Sequence, residues 1–242
     1  MIENFKETPP PAGQSAPGRG RFRWSWTLTL IAIYVVVLLV QHYVDRHYPA
    51  DRFIFNNLAL SCAGIAHGYA WQFLTYQFLH GGWIHMLFNS WVIYVFGSEL
   101  EGLLGGRRYL SLVLACGIVG GVFQVFMGMC FPTLFGGSVV GASACAFGLV
   151  AAFASLYPEE ELTILVLFVI PVQVPCRFLL IFSAVIALMG LMFPWNAVAT
   201  YNGAQIANAA HLGGMAMGWY YVKKIMKHPA LPAKPDPCLD AP

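Results

Sequence analysis

Long uncharged apolar runs alternate with short polar clusters along this chain. No Asp, Glu, Lys or Arg occurs between Arg52 and Glu99, between Arg108 and Glu159, or between Arg177 and Lys223. A helix needs about 20 apolar residues to cross a bilayer, and each of these intervals is long enough for two crossings and a loop. The pattern predicts six spans, at about 24–44, 83–98, 109–130, 141–157, 176–193 and 204–222. Residues 45–82 are mixed and aromatic, which predicts an interfacial first external segment. "GSELEGLLGGRR" reads as a cytoplasmic turn and "FPTLFGGSVV" as an external loop. The run 162–175 is apolar but broken by Pro171 and Pro175, and is expected to hug the cytoplasmic membrane surface. The expected fold class is therefore all-α: a polytopic membrane protein built as a six-helix bundle over 24–227. Residues 1–23 are expected to form a disordered cytoplasmic arm, and 228–242 a disordered cytoplasmic tail.

Composition strengthens this reading. Of the 242 residues, 58 % are hydrophobic and 10 % charged, with a mean hydropathy of +0.65. Soluble domains carry about a quarter charged residues. Arg19, Arg21, Arg23, Arg107, Arg108, Arg177, Lys223, Lys224 and Lys227 fall on one side of the predicted topology, and Arg46 and Arg52 on the other. The positive-inside rule then puts both termini in the cytoplasm. Trp24, Trp83, Trp195 and Trp219 near span ends fit an aromatic belt. The polar, Pro-rich opening is unlike a cleavable signal peptide. The basic residues flank spans and form no nucleic-acid-binding stripe. The six cysteines have no CxxC spacing and read as small buried hydrophobes.

Polar side chains inside spans need a reason, and four stand out: His85, Asn89, Ser143 and His211. His85 and Asn89 are four apart, hence on one helix face. Spans 2, 4 and 6 run in the same direction, and at 1.5 Å per residue all four side chains fall within about 10 Å in depth, in the outer half. A serine needs a base to become a nucleophile, and His211 is the base available. The start of span 4 offers N–H groups and a positive helix end to an oxyanion, and His85 and Asn89 could add donors. Glu99, Glu101 and Glu159 map to the cytoplasmic ends, so the chemistry would be a Ser–His dyad. Gly141, Ala142, Ala144, Ala146 and Gly148 line span 4, and Gly214 and Gly218 stand in GxxxG spacing on span 6. Small faces let helices approach closely. Each feature also has a plainer explanation: Ser143 as a packing serine, His85 with Asn89 as an interhelical pair, His211 as a proton relay. A metal held by His80, His85 and His211 is disfavoured, because no HExxH motif or carboxylate lies at that depth.

These residues resemble the rhomboid family of intramembrane serine proteases, over roughly residues 60–222. "HGGWIHMLFN" (80–89) is similar to the family's second-helix motif, with His80 at its upstream histidine and His85 and Asn89 on the oxyanion side. Gly97 and Glu101 resemble its G-x-x-x-E turn, Gly141 and Ser143 its G-x-S nucleophile motif, and "AHLGGMAMG" the sixth-helix motif with its base at His211. The resemblance implies a six-helix bundle with a water-filled cavity open to the outer face. It implies Ser143 as nucleophile, His211 as general base and acid, and His85, Asn89 and Gly141 as oxyanion supports. His80, Glu101, Gly214 and Gly218 would be structural. It further implies cleavage of single-pass or polytopic membrane proteins within the lipid bilayer, without cofactor or metal. Segment 176–203 would gate substrate access. A bacterial cytoplasmic membrane is the expected location. Two positions depart from the family pattern: Ala144 follows the serine where glycine is usual, and Trp71-Gln72 stands for Trp-Arg. The rivals are a rhomboid-like protein that binds membrane clients without cutting them, and a small transporter using His211 as a relay. A transporter would be expected to show paired acids or repeats.

Overall fold

In the computed structural model, residues 25–48, 53–166, 170–193 and 206–225 are described. The expected arm and tail lie outside these residues, as does most of the loop that would follow the fifth span. The first long helix is α1 (Trp26–His47), capped by the Ser25 side chain, which accepts from Leu28 N–H. Short helices follow: α2 (Phe53–Leu58), α3 (Cys62–Ala66), α4 (Gln72–Thr75) and a 3₁₀ turn (Tyr76–Phe78). Then come α5 (Trp83–Leu104), α6 (Gly106–Cys130), the short α7 (Pro132–Phe135) and α8 (Ser143–Leu156). Strands β1 (Glu161–Val166) and β2 (Ile170–Pro175) precede α9 (Cys176–Met192) and α10 (Asn208–Tyr220).

The six long helices fall where the apolar runs predict them, with two departures. The stretch "GSELEGLLGG" is not a turn over its length. It continues α5 to Leu104, and the chain reverses only at Gly105, whose φ of 75° suits glycine. Glu99 is exposed there, so the charge does not force the helix to stop. The second departure is the run 162–175. It forms an antiparallel hairpin, pairing Leu162 with Val174 and Ile164 with Val172. Pro171 is tolerated because each strand of a two-stranded sheet keeps a free edge, where a missing N–H breaks no ladder bond. The bundle is helical as expected, and this hairpin is the exception to an all-α fold among the described residues.

Helix α8 is the centre of the molecule. Ala144 to Ala146 and Gly148 to Ala154 are all buried. Helix α10 lies along both α6 and α8, and its glycines make the approach possible. A methyl on Gly214 would strike the Ala144 carbonyl, and one on Gly218 the Gly148 carbonyl. Helix α9 is peripheral: of its side chains only Cys176, Ala187 and Gly190 are buried, while Phe178, Ile181, Phe182, Ile186 and Met192 face outward. Among the described residues two helices, α1 and α6, are by themselves long and apolar enough to cross a bilayer; α8 and α9 are apolar but shorter.

Candidate active site

Ser143 is the first residue of α8, and His211 lies in the first turn of α10. Ser143 Oγ stands 2.8 Å from His211 Nε2. With the hydroxyl donating, the imidazole proton belongs on Nδ1, an assignment that follows from the hydrogen bond. Nδ1 is buried and has no hydrogen-bond partner among the described residues, so none of their acids orients this ring. What orients it is Phe147, one turn after Ser143. The Phe147 ring lies parallel to the imidazole, 4.2 Å between centroids and 4° between planes. Sequence reasoning passed over Phe147, although its i+4 spacing from Ser143 put it on the same helix face.

The approach to Ser143 is made by Gly141, and only glycine suits it. Its φ is 124°. A β-carbon there would also come within 2.7 Å of His85 Cε1 and 2.8 Å of His85 Nε2. His85 and Asn89, one turn apart on α5, therefore both face this backbone. Gly81 N–H donates to His85 Nδ1 at 3.3 Å, which assigns the His85 proton to Nε2, on the Gly141 side. Asn89 Nδ2 is a buried donor with no hydrogen-bond partner among the described residues, and it would lie 3.5 Å from a Gly141 β-carbon. The first-turn N–H groups of α8 have no intrahelical acceptor. The result is a hydroxyl–imidazole pair, with His85 and Asn89 standing around the Gly141 backbone that precedes the hydroxyl.

The supporting residues separate by position. His80 is buried with its ring set edge-on to Tyr34 and His85, at 5.2 and 5.3 Å between centroids. Its backbone is held by Gln41, which donates to the His80 carbonyl at 3.2 Å and accepts from its N–H at 3.1 Å. Burial first, and then the neighbouring His85, press the His80 ring down to about 3, so it is neutral at physiological pH. Glu101 is not in this site. It stands at the far end of α5 and caps α1, accepting from Ser25 Oγ, Trp26 N–H, Thr27 N–H and Thr27 Oγ1.

Both departures from the family pattern are absorbed locally. The Ala144 methyl points at Gly120 on α6, where a second methyl would come within 2.7 Å of it. Gln72 is fully buried; it accepts from Ser61 N–H at 3.2 Å and reaches the Asn57 carbonyl at 3.3 Å. Trp71 Nε1 donates to the same carbonyl at 2.8 Å. The first external segment thus keeps an anchor at this pair. It also pins the chain before Ser143: Val139 pairs with Leu60, and Gly141 N–H donates to the Tyr76 carbonyl at 2.9 Å.

The chain is similar to known proteins over most of the described helices. The Rhomboid domain family matches residues 67–228. The presenilin-associated rhomboid-like protein A, mitochondrial, of Danio rerio is 34 % identical over 148 residues, 60 % of this chain and 35 % of that protein. Rhomboid protein 1, mitochondrial, of Saccharomyces cerevisiae is 30 % identical over 155 residues, 62 % of this chain and 41 % of that protein. Rhomboid protease GlpG of Yersinia pestis is 25 % identical over 187 residues, 76 % of this chain and 58 % of that protein. The chain thus spans well under half the length of the two mitochondrial relatives. With relatives in mitochondria as well as bacteria, a bacterial cytoplasmic membrane has no support over a mitochondrial one.

Proposed function

We propose that this chain, which belongs to the rhomboid family, is an intramembrane serine endopeptidase that cuts transmembrane segments of other membrane proteins near the outer face. The observation that carries the reading is the 2.8 Å contact between Ser143 Oγ and His211 Nε2, made where the donors of His85 and Asn89 border the same backbone. In this reading the six spans run along α1, residues 83–98 of α5, α6, α8, α9 and α10, with Glu101 beyond the end of the second span and both termini on the cytoplasmic side.

Ser143 Oγ attacks the scissile carbonyl carbon while His211 Nε2 takes its proton. The carbonyl oxygen becomes an oxyanion, which accepts from His85 Nε2–H, Asn89 Nδ2–H and the Ser143 N–H at the positive end of α8. As the C–N bond breaks, His211 returns the proton to the leaving amine, and an ester to Ser143 remains. His211 then deprotonates a water that attacks this ester. The C–Oγ bond breaks, Oγ regains the proton, and the second product leaves as an acid. No cofactor is required.

The test compares wild type and Ser143→Ala, purified in detergent, on a fluorogenic transmembrane-segment substrate. Wild type should cleave and react with a fluorophosphonate; the variant should do neither, losing at least about 10³-fold in kcat. A variant that cuts at the wild-type rate overturns the reading. A folded wild type that neither cuts nor reacts would point to a client-binding relative.

A further inference from the structure

Gln124, on α6, is only 3 % exposed and takes no part in the chemistry above. Its amide has two partners. Oε1 accepts from Ala210 N–H and Nε2 donates to the Phe135 carbonyl, both at 3.3 Å. Ala210 immediately precedes His211, in the first turn of α10. The helix begins after Ala207, which offers no side-chain cap. First-turn N–H groups lack an acceptor within their own helix, and a buried orphan is costly. Gln124 supplies that acceptor from a different helix. Phe135 ends α7 and begins the run to Ser143, which Leu60 and Tyr76 pin further along. One turn before Gln124, Gly120 brings the α6 backbone against both active helices. A methyl there would come within 2.6 Å of the Ala210 carbonyl oxygen and 2.7 Å of the Ala144 methyl.

We infer that Gln124 is a positioning residue for Ser143 and His211: it ties the base's helix to the nucleophile's loop and thereby fixes their separation and the imidazole's orientation. Its effect on rate rests on the protease reading; its effect on the His211 ring does not. Leucine at 124 keeps the volume and removes both hydrogen bonds.

The experiment uses the full chain in detergent, with wild type, Q124L and a stability control, L112A, which opens a cavity at a fully buried position of α6 remote from the site. Four quantities are read: kcat, KM, the thermal midpoint, and the ¹⁵N spectrum of the labelled histidines. Q124L should lower kcat about 10–100-fold, the scale of a misplaced catalytic group, with KM changed less than about twofold. It should also move the His211 resonances toward a mixture of tautomers. L112A should lose at least as much in thermal midpoint while keeping kcat and the His211 spectrum. A Q124L protein with an unchanged His211 spectrum, or with a kcat loss no greater than that of L112A, overturns the proposal. If the wild type neither cuts nor reacts with a fluorophosphonate, the protease reading fails and the His211 spectrum alone decides on Gln124. If Q124L does not fold, Q124E keeps the length and an acceptor oxygen. It should shift the same resonances by a smaller amount, and an unshifted spectrum again overturns the proposal.

Discussion

At the scale of single residues, the site combines a hydrogen bond with a ring stack. Nδ1 of His211 has no hydrogen-bond partner among the described residues, so within them the imidazole depends on packing for the orientation that a carboxylate gives in a triad. Phe147 is the packing surface. Phe147→Ala should lower kcat about 10–100-fold, while Phe147→Tyr, which keeps the ring, should stay within about threefold; steady-state kinetics of the two variants checks this. Ser143 and His211 were legible in the sequence because a hydroxyl and an imidazole at one depth in apolar helices need a reason. Phe147 was not, because an aromatic residue in an apolar run signals nothing until its neighbour is known. The same limit applied at Ala144, whose neighbour Gly120 lies on a different helix, and at Gln72, whose partner Ser61 is 11 residues away across irregular turns.

At the scale of elements, the site exists because α8 and α10 touch backbone to backbone. Gly214 stands where any side chain would meet the carbonyl of Ala144, the residue after Ser143. Gly214→Val should therefore destabilise the protein by about 1–3 kcal/mol and separate Ser143 from His211. A lowered thermal midpoint together with lost fluorophosphonate reactivity is the expected result, and retained reactivity would count against the close contact. The small faces of the fourth and sixth spans pointed to this helix contact, but not to the backbone atoms that meet in it. The hairpin at 161–175 shows where sequence reading weakens: prolines argue against a helix but equally permit an edge strand.

At the scale of the whole molecule, the end opposite the site is closed by one carboxylate. Glu101 draws the start of α1 onto the end of α5 through four hydrogen bonds. Burial alone would raise its pKa, but those donors outweigh it and hold the carboxyl below its ordinary 4.5. A depressed carboxylate contributes stability that is complete above its ordinary value and is lost as pH falls through the lower folded value. Glu101→Gln should cost about 1–2 kcal/mol at neutral pH, the size of a lost cap. It should also flatten the acid limb below pH 4.5 in thermal melts recorded against pH. An unchanged acid limb would mean that the cap contributes nothing.

The sequence by itself determined the helices, their order and the polar residues worth attention. Apolar length and the gaps between charges are local properties, and a bilayer-sized run can be counted without knowing any contact. The segment between α1 and α5 was recognisable only as mixed and aromatic; that it grips the run before Ser143 through Leu60 and Tyr76 depends on pairings far apart in the chain. Tertiary structure alone decided which donors border Gly141, what the Ala144 methyl meets, and that Gln124 joins two helices and a loop. Those are distances between distant segments, set by how closely glycine-lined backbones can approach, and no periodicity along the chain encodes them.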